Sequence, residues 1–128
     1  MPHHLFRRHY TRDEARALLP EIRGWLRELI VLRDRLQTEA QRVAPLLAQG
    51  RDVGGPDINR GMRCLADIQA LLKQFQSREI QIKDLDRGLI DFPALRGDKE
   101  IFLCWELDEE DIDFWHDLTS GYAGREKL

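Results

Sequence analysis

Residues 11–36 read TRDEARALLPEIRGWLRELIVLRDRL, and this stretch decides the architecture. Its large apolar residues recur at alternating steps of four and three, which is the spacing of a narrow stripe along one side of a helix. The members of the stripe are Leu18, Ile22, Trp25, Leu29, Leu32 and Leu36. Thr11 and Glu14 have the spacing of a capping box, so the helix is predicted to begin here.

The same stripe continues beyond this stretch, at Val43 and Leu46. The sequence therefore predicts a first helix over residues 11–48. Pro20 cannot donate a backbone hydrogen bond and crowds the preceding turn. We expect a kink at this position, or a short helix abutting a long one.

A second apolar periodicity follows a loop at residues 49–56, where three glycines and a proline occur in eight positions. It predicts a shorter helix over residues 57–79, with Asp57 as its cap. Two helices joined by a short loop pack antiparallel, so we expect a long helical hairpin.

Residues 80–107 have a different period. Two runs rich in strand-forming residues flank a Gly97-Asp98 turn, which predicts a β-hairpin. Pro93 has no N–H to donate, so it is expected to mark an edge strand or a bulge. Residues 108–128 show little periodicity and are predicted to form an irregular tail.

The whole chain of 128 residues is predicted to be a single domain with a flexible start at residues 1–10. The fold class is mainly α: a long antiparallel helical hairpin with a C-terminal β-hairpin and an irregular tail, an α+β arrangement. Cys64 and Cys104 are far apart in the sequence and are predicted to be buried, reduced thiols.

Charge and hydropathy exclude several classes of function. Residues 1–49 carry nine arginines against six acidic residues, whereas the rest of the chain is acidic and the net charge is −3. No basic block is present, which argues against nucleic acid as a partner. No apolar run is long enough for a bilayer and no secretory signal is visible, so a cytoplasmic location without membrane contact is expected.

The segment from Trp105 to Asp117 carries the residues most suited to chemistry. It holds seven carboxylates and His116, with no lysine or arginine. One interpretation is a divalent metal site formed by His116, Asp91 and Glu109. The alternative is a solvated acidic surface with a histidine that only bonds to the backbone, because the spacing matches no metal-binding motif.

Two further interpretations use the same region. His116 with a carboxylate partner could act as a general base. Arg87 and Arg125 could clamp an anion, or could simply pair with a buried Asp91. The candidate polar cluster is thus Arg87, Asp91, Glu109, His116 and Arg125, and whether it makes the protein an enzyme stays open.

Several motifs resemble a bacterial family catalogued as domain of unknown function 2203. They are Ala15–Pro20, Lys83–Ala94, Leu103–Trp105, Trp115–His116 and Gly121–Arg125. The matching residues lie in the second half of the chain: Arg87, Asp91, Cys104, Trp105, Glu109, Trp115, His116 and Arg125. The resemblance implies a cytoplasmic bacterial protein of this size with a helical N-terminal half, and it implies no activity.

Two functional hypotheses follow. The first is an assembly module, because the stripe of the first helix is longer than the second helix can cover. It predicts a homodimer joined through a seam of Leu29, Leu32, Leu36, Val43 and Leu46. The second is a protein that binds a divalent metal or a small-molecule ligand at the polar cluster.

Overall fold

The computed structural model describes residues 3–51 and 54–128. Within these residues the first half of the chain forms two helices, α1 over Arg12–Ala48 and α2 over Gly55–Gln76. The second half forms five strands and one 3₁₀ turn. They are β1 Gln81–Asp84, β2 Leu89–Arg96, β3 Lys99–Trp105, β4 Phe114–Asp117, the 3₁₀ turn Tyr122–Gly124 and β5 Glu126–Lys127.

Helix α1 begins at the predicted capping box. The backbone N–H of Glu14 donates to Thr11 Oγ1 at 3.1 Å, and the N–H of Thr11 donates to Glu14 Oε1 at 3.0 Å. The helix is continuous through Pro20. The alternative prediction of a short helix abutting a long one at this position is therefore wrong. Pro20 lies on the exposed side, and the buried Leu19 and Ile22 hold the helix on the sheet on either side of it.

Helix α2 begins and ends earlier than predicted. Gly54 is its N-cap and Pro56 lies in its first turn, so Asp57 is not the cap. The Asp57 carboxylate instead pairs with Arg42 of α1. The predicted loop at 49–56 includes residues 52 and 53, which lie outside the described residues.

The five strands form one antiparallel sheet in the order β1-β2-β3-β4-β5. The predicted hairpin is present as β2 and β3. The structure differs from the sequence prediction in the tail, which supplies β4 and β5 rather than being irregular throughout. These strands have four and two residues, too few for a period to be recognised.

The two faces of the sheet bury different residues. One face packs on the helices and forms the apolar core with them. This core includes Leu19, Ile22, Leu26, Phe75, Ile90, Phe92, Leu103 and Trp105. Residues on the other face alternate with these along the strands, and the Phe6 ring packs edge-on against Phe102 of β3 there.

The N-terminal segment before α1 is anchored to the sheet. Sequence analysis predicted a flexible start over residues 1–10, of which residues 1 and 2 lie outside the described residues. The described part of this segment is hydrogen-bonded to the sheet. The N–H groups of Leu5 and Phe6 donate to the Glu100 carboxylate at 2.6 and 3.0 Å. The N–H of Tyr10 donates to the Pro93 carbonyl at 2.7 Å.

Pro93 lies in an inner strand, at a place where its missing N–H is tolerated. The pairing of β1 with β2 ends at Asp91, so β1 does not reach Pro93. The neighbouring segment on that side donates to the Pro93 carbonyl instead of accepting from its nitrogen.

Neither α1 nor α2, as far as the described residues go, has the length of apolar sequence that crossing a membrane requires.

Candidate functional site

Three chemically active side chains meet on the sheet face turned away from the helices. Asp91 of β2 pairs with Cys104 of β3, and His116 of β4 pairs with Phe102, two residues from Cys104 on the same face. One ligand atom from each of Asp91, Cys104 and His116 lies within 4.8 Å of the other two. All three residues are buried. We call them the sheet triad.

The contacts of His116 define where its protons lie. Its Nδ1 lies 2.6 Å from the carbonyl oxygen of Asp117, which can only accept, so Nδ1 carries a proton and donates it. Its Nε2 lies 3.0 Å from Asp91 Oδ1. A second proton must sit between these two atoms, on the ring or on the carboxyl group, because two bare acceptors at this distance would repel. Asp91 and His116 therefore share one buried proton between Oδ1 and Nε2, in addition to the proton on Nδ1.

Burial shifts the acidities in the sheet triad. Loss of hydration raises the pKa of Asp91, and the attraction of His116 opposes this only in part. Burial also raises the pKa of the Cys104 thiol to about 12, assisted by the Asp91 charge. A free Cys104 is consequently a protonated thiol at neutral pH, and both cysteines are buried and free, which confirms the sequence prediction.

The other members of the predicted cluster form a second, adjoining group. Arg87 contacts Glu106 at 2.7 Å, and Arg125 contacts Glu109 at 3.1 Å. Tyr122 joins the two pairs, since its hydroxyl donates to Glu106 and accepts from Arg125. We call these five residues the tail clasp.

The predicted metal ligands are thus divided between the two groups. Asp91 and His116 lie together in the sheet triad, whereas Glu109 lies with Arg125 in the tail clasp. The position assigned to Glu109 is taken by Cys104. The predicted turn could have revealed this: counting outward from Gly97 and Asp98 in a two-residue hairpin places Asp91 opposite Cys104.

Helix α1 binds two of the remaining acids of the segment from 105 to 117, Asp111 and Asp113, and also contacts its backbone. Arg16 makes two bonds to the Asp111 carboxylate, at 2.8 and 2.9 Å. Arg12 pairs with Asp113 at 2.9 Å. Arg23 donates to the backbone carbonyl of Glu110. The contrast between an arginine-rich first helix and an acidic segment without bases was the sequence signal for this contact.

The predicted dimer seam is also divided. Leu29 and Leu32 are buried within the monomer, with exposures of 1% and 4%. They pack on the chain itself and are not available to a partner. Leu36, Val43 and Leu46 lie further along α1 and are partly exposed.

Comparison with known proteins gives a family. A family model described as "Uncharacterized conserved protein (DUF2203)" matches residues 8–128. No match was found among curated proteins or among solved structures. The matched range contains both helices, all five strands, the sheet triad and the tail clasp. The chain belongs to the DUF2203 family of uncharacterised conserved proteins.

Proposed function

We propose that this protein is an assembly module that forms a homodimer through the outer part of its helical hairpin. The observation that carries the proposal is an exposed apolar groove between the far ends of α1 and α2. The groove has a volume of about 330 Å³. Its apolar lining residues are Leu36, Ala40, Val43, Ile58, Met62 and Leu65. We call it the hairpin groove.

The hairpin groove lies beyond the part of the hairpin that the sheet covers. The last α1 residue in the central apolar core is Leu29. The helix continues to Ala48, so its final 12 residues after Leu36 extend roughly 18 Å at 1.5 Å per residue. In this part of the hairpin the two helices pack on each other, and the sheet does not cover them.

The groove exposes large apolar side chains to water, which is unfavourable in free energy. Ile58 is 53% exposed, Met62 64% and Leu65 45%. Burying apolar surface contributes roughly 25 cal/mol per Å², so covering these side chains favours association. Contiguous apolar surface of this kind is typical of an interaction site.

The rim of the groove favours a second copy of the same chain as the partner. It carries charges of both signs: Arg42 and Arg60 alternate with Glu39 and Asp57, which they contact within the monomer. A surface that holds both signs side by side can oppose itself across a two-fold axis with acids facing bases. Two hairpins packed in this way would form a four-helix bundle.

The test is the mass of the full chain in solution by size-exclusion chromatography with light scattering, from about 1 to 100 µM. We expect a dimer for the wild type and a monomer for Met62→Glu, because the new carboxylate would be buried without a partner. Val31→Glu is the matched control, since Val31 is 53% exposed on α1 and does not line the groove.

Two results would contradict this proposal. One is a wild-type monomer across the whole concentration range. The other is a Met62→Glu variant that remains a dimer while its circular dichroism spectrum matches the wild type.

A second candidate function is binding of a transition metal at the sheet triad. It is favoured by one observation, the three ligand atoms of Asp91, Cys104 and His116 within 4.8 Å of one another. A cation could replace the proton shared by Asp91 and His116 and would stabilise the thiolate of Cys104. The anion alternative has less support, since Arg87 and Arg125 already contact the carboxylates of Glu106 and Glu109.

Cobalt(II) tests the sheet triad through its thiol. A cobalt–thiolate bond gives a charge-transfer absorption in the near ultraviolet, which we expect for the wild type and not for Cys104→Ser. Cys64→Ser is the control, because Cys64 is the other buried free cysteine and lies on α2. A wild type that takes up no cobalt, or an absorption that persists in Cys104→Ser, would exclude this function.

A further inference from the structure

A second group of metal-ligating side chains lies at the N-terminal segment, away from the sheet triad. His4, His9 and Glu100 each offer one ligand atom within 4.8 Å of the others. The closest two are His9 Nε2 and Glu100 Oε2, at 2.9 Å. The rings of His4 and His9 meet edge to face with centroids 4.9 Å apart.

The carboxylate of this group is held in place before any ion binds. Glu100 is buried, and it accepts from the backbone N–H groups of Leu5 and Phe6 at 2.6 and 3.0 Å. A further bond joins the carboxylate to His9 Nε2 at 2.9 Å, so Glu100 is held in an orientation that faces the imidazoles.

The donor set points to a transition metal of the zinc type. Two imidazole nitrogens and one carboxylate oxygen are the ligands of open zinc sites, whereas calcium and magnesium prefer oxygen alone. Ligand atoms of a tetrahedral zinc ion lie roughly 3.4 Å apart, given metal–ligand distances near 2.1 Å. The ligand atoms of His4, His9 and Glu100 lie within 4.8 Å of one another, near that spacing, and His4 is exposed.

The group opens onto a cavity that leaves room for a further ligand. The cavity has a volume of about 340 Å³. Its lining includes His3, His4, Asp98, Lys99, Glu100 and Asp117. An ion held by three protein ligands at this edge would keep its fourth position turned toward the cavity, where water or a small anion could bind beside Lys99.

Anchoring of the N-terminal segment does not by itself explain the arrangement. Glu79 anchors the same segment by accepting from the N–H groups of Arg7 and Arg8 at 3.1 and 3.2 Å, and no histidine takes part. Glu100 does the same work for Leu5 and Phe6, yet two imidazoles converge on it as well. This difference is what distinguishes a ligand group from an anchor.

We propose that His4, His9 and Glu100 form a binding site for a zinc-type divalent cation whose fourth position faces the neighbouring cavity. His9 and Glu100 lie within the residues that the family model matches, and His4 precedes them. Binding would hold the N-terminal segment on the start of β3, next to the turn between β2 and β3, at a site that is independent of the sheet triad and of the hairpin groove.

The test is isothermal titration of Zn²⁺ into the full chain after removal of any affinity tag. We expect one ion per chain with micromolar or tighter affinity. His4→Ala and Glu100→Gln should each weaken binding about tenfold or more, since loss of even an outer partner of a metal ligand costs 10–100-fold. His4 is exposed, so His4→Ala should keep the folded structure.

Matched variants decide the interpretation. Glu79→Gln removes the other anchoring carboxylate and should leave the affinity within threefold of the wild type. Cys104→Ser should also leave it unchanged, which separates this site from the sheet triad. The proposal is overturned if the wild type binds no Zn²⁺ below about 100 µM, or if Glu79→Gln weakens binding as much as Glu100→Gln.

Discussion

Among single residues, Asp91 and His116 carry the strongest constraint on the molecule. Both are 2% exposed and their side chains contact each other at 3.0 Å. A buried ionisable group is costly unless it is paired, so each residue depends on the other. The Asp117 carbonyl fixes the orientation of the imidazole by accepting from Nδ1.

We expect the two members of this pair to respond differently to substitution. His116→Ala leaves the buried Asp91 without its imidazole partner and should lower the free energy of unfolding by about 3 kcal/mol or more. Asp91→Asn keeps a donor for His116 Nε2 and should cost only about 1 kcal/mol. Urea unfolding of both variants and of the double variant measures this difference.

The double variant supplies the control, because its loss should be smaller than the two single losses added together. Equal losses for Asp91→Asn and His116→Ala would show that the pair requires a charged carboxylate and an imidazolium. That result would contradict the premise of the prediction, which is that an uncharged asparagine side chain can replace Asp91 as the partner of His116 Nε2.

At the scale of elements, the end of β4 is fixed by a local turn rather than by the core. The Asp117 carboxylate accepts from the N–H groups of Thr119 and Ser120 at 3.1 and 2.8 Å. The hydrogen bonds from Ser120, and to a smaller extent those from Thr119, lower the pKa of Asp117 from about 3.8 to about 2. Ionised Asp117 therefore stabilises the turn that follows β4.

The pH dependence of Asp117 follows from the sign of this shift. A folded pKa below the unfolded one gives stability that is present above about pH 4 and is lost as the pH falls through about 2. Asp117→Asn keeps the acceptor oxygen and removes the charge. Its melting temperature should be slightly below that of the wild type at pH 7, and the two should converge toward pH 2.

Asp98→Asn, in the exposed turn between β2 and β3, is the control for a general effect of charge. Thermal unfolding followed by circular dichroism between pH 2 and pH 7 is the measurement. A difference between wild type and Asp117→Asn that does not shrink in acid would mean that the charge is not what holds the turn.

At the scale of the whole molecule, one long helix serves two regions. The first part of α1 packs on the sheet through Leu19, Ile22 and Leu26. Arg16 also holds the loop between β3 and β4, through two bonds to Asp111. The last part of α1 extends past the sheet and forms the hairpin groove with α2. The core and the proposed dimer contact are thus separate, so the dimer can be disrupted without unfolding the chain.

The two proposed metal sites are separate in the same sense. The sheet triad is buried between strands, whereas the site at His4, His9 and Glu100 opens onto a surface cavity. An ion could reach the second site without any movement of the sheet, but it could reach the first only if the covering segments moved. The cobalt–thiolate absorption reports on the first site alone and the His4→Ala variant on the second, so the two experiments test separate sites.

Much of the fold could be predicted because its signals are local. The capping box at Thr11, the helical periodicity up to Leu46 and the two-residue turn at Gly97-Asp98 each involve residues close together in the chain. The missed strands β4 and β5 are short, and they exist because β3 offers an edge to pair with. Their hydrogen bonds, not their own sequence pattern, make them strands.

The candidate site was predictable only in part, and the reason is distance along the chain. The sequence by itself determined that Asp91, His116 and Arg125 need partners wherever they are buried. The turn at Gly97-Asp98 also places Cys104 opposite Asp91, but only the tertiary structure decided that His116 of β4 joins these two residues and that Glu109 belongs to Arg125. It also decided that His4 and His9 meet Glu100, more than 90 residues away, and that Leu29 and Leu32 are buried within the monomer. Such pairings depend on strand register and on chain segments that fold back, and no local pattern encodes them.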